Sequence, residues 1–168
     1  MVIWIIGLSG AGKTTLAKNI YEITIDKKPN TVLVDGDIIR EIFNNDLGFS
    51  IEDRKKNAER ISRLCYYLNS QNINVICSIL SLFESSRRWN RKNIINYYEV
   101  YIKASINDLI ERDVKGIYKK YNNGKIKNVA GLDLKFDEPK NPDLIIDNTK
   151  KVEDLLDNSK FLSNLLND

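Results

Sequence analysis

The stretch GLSGAGKTT, residues 7–15, places glycines, a lysine and hydroxyl side chains at the spacing of a phosphate-binding loop. It follows an apolar run, VIWII, and precedes a helical pattern, which is the context that such a loop requires. Lys13 should reach the β- and γ-phosphates of a nucleoside triphosphate, most simply ATP, and the Thr14 hydroxyl should ligate Mg²⁺. The residues predicted to hold this donor are Gly7, Ser9, Gly10, Ala11, Gly12, Lys13, Thr14 and Thr15.

A second motif, Asp35-Gly36-Asp37, ends the apolar run Thr31–Asp35 and brings two carboxylates to one edge of the predicted sheet. One carboxylate can hold Mg²⁺, and the other can accept a proton from the hydroxyl group that receives a phosphate. The chain contains no histidine, so the commonest general base is missing. A simple turn is the alternative interpretation. We predict catalytic roles for both aspartates, with Asp35 also a metal candidate beside Thr14, and the sequence leaves open which aspartate is the base.

Composition and charge narrow the class of protein. The 168 residues suit a single domain over residues 1–168. A net charge of +3 does not indicate a nucleic-acid partner, and the basic run RRWNRK is interpreted as a solvated helix face. No apolar run approaches the roughly 20 residues that span a bilayer, and the N-terminus lacks a signal-peptide pattern, so we expect a cytoplasmic protein without a membrane partner. Cys65 and Cys77 lack metal-type spacing and are predicted to be buried and reduced.

Apolar and amphipathic segments alternate along the chain, as in a mostly parallel sheet that is covered by helices. Strands are predicted at residues 2–6, 31–35, 74–80, 98–104 and 143–147. Helices are predicted at 13–22, 38–45, 50–70, 84–96 and 106–113, with caps at Ser50 and Ser105 and a closing helix capped by Thr149. The pattern indicates a three-layer α/β fold of the P-loop NTPase type, with a five-stranded sheet, helices on both faces and ligands at the carboxyl ends of the strands.

Residues 114–141 contain seven lysines and no apolar periodicity, and we refer to them as the lid. The sequence predicts that the lid is a mobile basic loop outside the core. No DxxG switch motif follows a strand, no NKxD guanine-reading motif occurs, and the chain is too short for a motor. These features favour a small-molecule kinase over a GTPase or a motor.

Three further segments resemble one family, the adenylylsulfate (APS) kinases. They are DGDIIREIFNNDLGFSIEDRKKNAERI (residues 35–61), IERDVKGIYKKYNNGKIKNVAGLD (110–133) and FDEPKNPDLIID (136–147). The resemblance covers nearly the whole chain. It implies transfer of the γ-phosphate of ATP to the ribose 3′-hydroxyl of a small nucleotide, adenosine 5′-phosphosulfate (APS), in a protein that is often a homodimer.

The resemblance also implies an acceptor site. Arg40, Arg54 and Asn57 match positions that hold the phosphosulfate end, where guanidinium forks suit an anionic anhydride. Phe49 matches a residue that stacks on the acceptor base. Solvated arginines and an ordinary core phenylalanine are the alternative interpretations.

The remaining implied residues lie after the second and third strands and in or just before the lid. Ser81 matches a serine whose backbone touches the acceptor, and Asp37 would meet the acceptor hydroxyl. Lys119 matches a lysine near the transferred phosphate, and Arg112, at the opening of the lid, is assigned to the donor site. The other lid lysines, such as Lys120, Lys125 and Lys127, are expected to be solvated.

The chain departs from the family pattern at three places, all expected around the acceptor. Val129 starts the lid turn Val-Ala-Gly where the family has Phe-Thr-Gly, so one of two aromatic walls around the base is missing. Ile38 replaces an asparagine after the aspartate motif. In the turn SILSLFESSRR, Leu82 replaces proline and Ser86 replaces aspartate.

These departures predict an altered base pocket that includes Val129. Within the family, the chain resembles a branch of small single-domain cytidine diphosphoramidate kinases, which act in capsule phosphoramidate biosynthesis. Drift within a true APS kinase is the alternative for Val129. A non-catalytic nucleotide-binding module is a remote alternative, because the residues Lys13, Thr14 and the two aspartates are all intact.

Overall fold

One parallel sheet organises the part of the chain, residues 1–148 and 152–166, that the computed structural model describes. Its strands are β1 (Val2–Ile6), β2 (Thr31–Asp35), β3 (Asn74–Ile79), β4 (Tyr97–Lys103) and β5 (Leu144–Asp147), in the spatial order β2-β3-β1-β4-β5. The helices are α1 (Lys13–Thr24), α2 (Gly36–Ile42), α3 (Ile51–Ser70), α4 (Glu84–Asn93), α5 (Ile106–Arg112), α6 (Ile117–Asn122) and α7 (Val152–Leu165). Every strand pair is parallel, which confirms the predicted α/β fold.

The sheet is buried on both faces because β1 is apolar at every position. Ile3 and Ile5 pack into a cluster with residues of α1, α5 and α7, while Trp4 and Ile6 pack on the opposite face with residues of α3. All five side chains of β1 are fully buried, as a continuous apolar run predicts for a central strand. The P-loop, which follows β1, therefore starts from the end of a fully buried strand. The predicted burial of both cysteines is also confirmed.

Helix starts follow the predicted caps where the structure describes them. The Ser50 hydroxyl accepts a hydrogen bond from the Asp53 backbone N–H, and Ser105 caps α5 in the same way. The carboxylate of Asp53 accepts from the Gly48 N–H, so it fixes the preceding loop. The third predicted cap, Thr149, lies outside the described residues.

The start of α2 differs from the prediction, since this helix begins at Gly36 rather than at Ile38. The Asp35 carboxylate caps it by accepting from the Asp37 N–H at 2.9 Å. The apolar run assigns Asp35 to the end of a strand and gives no sign of this cap, although Asp35 both ends β2 and caps α2. The side chain of Asp35 is therefore fixed by the backbone that carries Asp37.

The prediction that the lid stays outside the core is wrong. It contains the helix α6, where Tyr118 is 1% exposed, and it continues to Val129 and Ala130, which are also buried. Tyr118 and Val129 join the core cluster of β1 and α1. The sequence showed no periodicity because these apolar residues belong to a short helix and a turn rather than to one regular element.

Among the described residues, no helix combines the length and apolar character that crossing a membrane requires.

Candidate active site

A cavity of about 370 Å³ opens at the carboxyl ends of β2 and β3, between the P-loop and the lid. Its walls come from the P-loop, the start of α2, the loop before α3, the turn after β3 and the lid. The predicted site residues that line it are Ser9, Lys13, Thr14, Asp35, Asp37, Arg40, Phe49, Arg54, Asn57, Ser81 and Val129. Folding thus brings together segments that are up to about 120 residues apart in the sequence.

The P-loop curves because two of its glycines adopt left-handed backbone conformations. Gly10 has φ 80° and Gly12 has φ 98°, and Gly12 is the N-terminal cap of α1. At Gly7 a Cβ atom would lie 2.7 Å from the carbonyl oxygen of Ile102, so only glycine fits. Ala11 is buried under the loop, and Thr15 is exposed and lies outside the cavity lining.

The Lys13 ammonium group folds over the mouth of the P-loop. Its Nζ donates to the carbonyl oxygen of Leu8 at 2.8 Å. Burial lowers the pKa of Lys13 to about 8, and the nearby Lys115 adds to this shift, while Asp37 and Asp35 oppose it. A phosphate chain in the loop would supply the missing negative charge and favour the ammonium form.

Asp35 is buried and accepts three hydrogen bonds. Its Oδ2 accepts from the Thr14 hydroxyl at 2.9 Å and from the Ser78 hydroxyl at 2.6 Å, and its Oδ1 accepts from the Asp37 N–H. Burial raises the pKa of Asp35, but the bonds from Ser78, Asp37 and Thr14 outweigh that effect and the pKa is lowered. The carboxylate is thus ionised and held against Thr14. Such a hydroxyl and carboxylate pair fits Mg²⁺, which prefers a few protein oxygens together with phosphate oxygens.

Asp37 faces the lid. Its carboxylate is largely exposed and forms an ion pair with the Nζ of Lys115. Within the described part of the chain, no backbone group donates to the carboxylate of Asp37 as the Asp37 N–H donates to that of Asp35. The two aspartates therefore divide into a fixed carboxylate beside Thr14 and an accessible carboxylate in the cavity.

Two arginines surround Phe49. The guanidinium carbons of Arg40 and Arg54 lie 5.0 Å and 5.3 Å from its ring centroid, and Phe49 remains 58% exposed. Arg40 is buried and donates through Nη1 to the carbonyl oxygens of Leu47 and Gly48, so it holds the loop that carries Phe49. The exposed ring is available for stacking against a flat group.

Arg54 links the two walls of the cavity. Its Nε donates to the carbonyl oxygen of Phe49 at 3.0 Å, and its Nη2 donates to the carbonyl oxygen of Asn128 at 2.8 Å. Asn128 precedes Val129, which is 5% exposed and whose N–H donates to the carboxylate of Asp133. A single guanidinium group therefore bonds to the backbone at Phe49 and next to Val129, two residues that line the same cavity.

Asn57 lies one turn after Arg54 on α3, is 5% exposed and lines the cavity. Its Oδ1 atom is buried and has no hydrogen-bond partner among the described residues. A buried amide oxygen without a partner is costly, which fits a position that a bound ligand completes.

The lid lysines are arranged differently from the expectation. Lys119 was expected near the transferred phosphate, yet it does not line the cavity. Ile117 and Lys120 line it instead, because residues three apart share one face of α6 and Lys119 points away from that face. Lys120 and Lys127 are exposed as expected but also border the cavity, whereas Lys125 is exposed outside it.

Lys115 is a site residue that sequence reasoning missed. It borders the cavity and pairs with Asp37. It was one of seven lid lysines, and only its position just before Gly116 sets it apart in the sequence. Gly116 is the N-terminal cap of α6 and adopts a left-handed conformation, with φ 64°.

Arg112 lies at the end of α5, outside the cavity lining. Its Nη2 donates to the carbonyl oxygen of Asn148 at 2.8 Å, and the Asn148 side chain donates to the carbonyl oxygen of Ala11. Arg112 is therefore next to the outer side of the P-loop, which is compatible with a role toward the donor rather than the acceptor.

The three departures from the family pattern do not all reach the cavity. Val129 and Leu82 line it. Ile38 is 50% exposed on α2 and Ser86 is buried between α3 and α4, and neither belongs to the lining. The expectation that all three surround the acceptor is therefore wrong for Ile38 and Ser86.

The parallel sheet, the phosphate-binding loop and the Asp35 carboxylate beside Thr14 define the class of P-loop kinases. The sequence model of the Adenylylsulphate kinase family matches residues 1–147, and the chain belongs to this family. This confirms the resemblance that the three sequence segments indicated.

Relatives with different substrates are about equally similar. The chain is 39% identical to the cytidine diphosphoramidate kinase of Campylobacter jejuni over 145 residues, which are 86% of this chain and 84% of the relative. It is 40% identical to a probable adenylyl-sulfate kinase of Pseudomonas aeruginosa over 143 residues, which are 85% and 67%. The solved structure of the Mycobacterium tuberculosis APS kinase CysC in complex with AMPPNP and APS superimposes with a TM-score of 0.86 at 29% identity, covering 99% of this chain and 97% of that one.

Proposed function

We propose that this kinase transfers the γ-phosphate of ATP to the ribose 3′-hydroxyl of a nucleotide with an anionic 5′-anhydride, and that its preferred acceptor is cytidine diphosphoramidate. The product would then serve the biosynthesis of capsule phosphoramidate. The observation that carries the preference is Val129, an aliphatic side chain lining the cavity that also contains Phe49. One aromatic wall suits a small pyrimidine better than a purine, since stacking on a second ring contributes about 1–3 kcal/mol per base.

The charges of the cavity support an anionic acceptor. Arg40, Arg54, Lys115, Lys120 and Lys127 all line it. The carboxylates that line it are those of Asp35 and Asp37, of which Asp35 is already bonded to Thr14 and Ser78. An anhydride carrying two negative charges would offset part of this excess of cations.

The residues suggest separate roles for the two aspartates. Asp35 and Thr14 would hold Mg²⁺, which neutralises phosphate charge when it is bound. Asp37 is accessible and would orient the acceptor hydroxyl and accept its proton. Lys13 would stabilise the phosphates, and Lys115 would move from Asp37 to the transferred group. The lid would keep water away from the phosphate.

The acceptor is tested by steady-state kinetics. Purified protein is assayed with ATP·Mg²⁺ against APS and against cytidine diphosphoramidate. We expect the larger kcat/KM for the cytidine compound. An equal or larger value for APS would instead support the second candidate, an APS kinase, for which the complex of the M. tuberculosis relative with APS is the supporting observation. Absence of transfer to either compound would favour a nucleotide-binding module.

The substitution Val129→Phe tests the base pocket directly. A phenyl group at this position would restore a second aromatic wall, so we expect kcat/KM for APS to rise by about tenfold relative to that for the cytidine compound. Val129→Leu is the matched control, because it adds volume without an aromatic face. An identical change in both variants would show that stacking at this position does not select the base.

A further inference from the structure

The turn after β3 has an unusual backbone conformation at Ser81. Among the described residues, the non-glycine residues with positive φ are Asn44, Asn45, Asn72, Ser81, Asn96, Asp113 and Asn128. Ser81, with φ 50°, is the one member of this set that is neither asparagine nor aspartate. A serine in this region is strained and persists where the surrounding structure holds it. Ser81 is 4% exposed and lines the candidate cavity.

Two side chains hold Ser81 from behind the cavity. Nη1 of Arg87 donates to its carbonyl oxygen at 2.7 Å, and Nε1 of Trp4 donates to its hydroxyl at 3.2 Å. Arg87 is 6% exposed and does not line the cavity. The prediction that the run RRWNRK is a solvated helix face is therefore wrong for Arg87 and also for Asn90, which is 0% exposed.

Glu99 on β4 compensates the charge of Arg87. It is 3% exposed, and its Oε1 lies 3.7 Å from the Nε of Arg87. The Tyr97 hydroxyl donates to its Oε2 at 2.9 Å. Burial raises the pKa of Glu99, although Tyr97, Arg87 and Arg91 oppose that shift. Since an unpaired buried charge is costly, Glu99 keeps Arg87 in the interior with one edge of its guanidinium group toward Ser81.

We propose that Arg87, anchored by Glu99, is a positioning residue for the phosphoryl acceptor. It acts through the carbonyl oxygen of Ser81 and fixes the turn that forms one wall of the cavity. Arg87 and Glu99 would not touch the acceptor themselves. The inference rests on the proposed function in one respect, namely that this cavity binds the acceptor.

Kinetics of charge-removing variants test the role. Arg87→Gln and the double variant Arg87→Gln/Glu99→Gln are compared with Arg91→Gln. Arg91 lies on the same helix and 3.9 Å from Glu99, but it is 43% exposed and pairs with Asp143, so it is the matched control. The assay uses ATP·Mg²⁺ with APS or cytidine diphosphoramidate, whichever the unaltered enzyme phosphorylates faster.

We expect both Arg87 variants to raise KM for the acceptor by about tenfold or more, with KM for ATP nearly unchanged. Displacement of the turn at Ser81 would disturb the position of the acceptor but not that of ATP. Arg91→Gln should leave both KM values unchanged. The double variant should recover Tm relative to Arg87→Gln, since no buried charge stays unpaired. Recovery of the acceptor KM together with Tm would overturn the proposal, because the pair would then be merely structural.

A second measurement does not depend on the identity of the acceptor. The indole N–H signal of Trp4 in ¹⁵N-labelled protein reports the contact with Ser81, and that of Trp89 serves as an internal reference. Arg87→Gln should shift the Trp4 signal and Arg91→Gln should not. If neither acceptor is phosphorylated, the proposed function fails, while this signal still decides whether Arg87 holds the turn at Ser81. An unmoved Trp4 signal in Arg87→Gln would overturn the inference.

Discussion

Asp35 and Asp37 are two residues apart, yet their carboxylates have different surroundings. Asp35 is bonded to Thr14, Ser78 and the first turn of α2, which fixes it beside the hydroxyl expected to bind Mg²⁺. The carboxylate of Asp37 is exposed in the cavity and pairs with a lysine of the lid. At the residue scale, this difference supports a metal role for Asp35 and a base role for Asp37.

The substitution Asp37→Asn should lower kcat by about 10²- to 10⁴-fold, because proton acceptance is lost. Tm should change little, since the pair with Lys115 is exposed. Asp35→Asn should instead raise the Mg²⁺ concentration needed for half-maximal rate. Both variants are compared by steady-state kinetics over a Mg²⁺ titration and by thermal unfolding. Near-normal turnover of Asp37→Asn would exclude it as the base.

Lys13 gives a prediction for pH dependence. Its pKa in the free protein is lowered to about 8, and bound phosphates would raise it. ATP affinity should therefore be fully present below pH 8 and decline as the pH rises above it, by at most about tenfold per pH unit. Calorimetric titration of ATP·Mg²⁺ between about pH 6.5 and about pH 9.5, which extends roughly 1.5 pH units on each side of that pKa, measures this decline. In Lys13→Arg the guanidinium stays charged, and the same decline in that variant would assign it to another group.

At the scale of elements, the lid is tied to the P-loop by one tyrosine. The hydroxyl of Tyr118 on α6 donates to the carbonyl oxygen of Ser9 at 3.0 Å, and the ring is buried in the core. Burial raises the pKa of Tyr118 to about 12, with Asp113 adding to this shift, so the hydroxyl remains a donor at neutral pH. Tyr118 therefore fixes one part of the lid to the P-loop, while exposed lysines of the lid border the cavity. This arrangement suits a segment that adjusts to a ligand.

The substitution Tyr118→Phe removes this hydrogen bond and keeps the ring. We expect trypsin to cleave the lid a few times faster, because opening of the lid costs about 1 kcal/mol less. Limited proteolysis followed by mass spectrometry measures the rate of cleavage at the lid lysines. Tyr121→Phe, on the same helix, is the control and should be cleaved at the normal rate. Equal rates in both variants would show that the bond to Ser9 does not restrain the lid.

At the scale of the whole molecule, the parallel order β2-β3-β1-β4-β5 gathers the chemistry at one edge of the sheet. The P-loop follows β1. Asp35 ends β2 and Asp37 follows it, while Ser78 is the penultimate residue of β3 and Ser81 follows that strand. Because these strands are neighbours, their carboxyl ends lie side by side and line one cavity. The homodimer expected from the resemblance remains a proposal at this scale, and light scattering of the purified protein would measure it.

The sequence predicted those features of the fold and the site that depend on local patterns. Apolar runs identified the strands, spacing identified the P-loop, and hydroxyl residues identified the caps at Ser50 and Ser105. These features are readable because backbone geometry and hydrogen bonding over a few residues determine them. For the same reason the sequence identified Lys13, Thr14 and the aspartate motif as one candidate site.

Tertiary structure alone decided which side chains of similar type reach the cavity. Seven lid lysines look alike in the sequence, but the orientation of α6 puts Lys120 at the cavity and Lys119 away from it. The sequence predicts that Arg87 is solvated. In the structure Glu99, which is distant in sequence, compensates the charge of Arg87 and allows it to be buried. Such outcomes depend on packing and on charge pairing between distant segments, and no local pattern of residues encodes either of them.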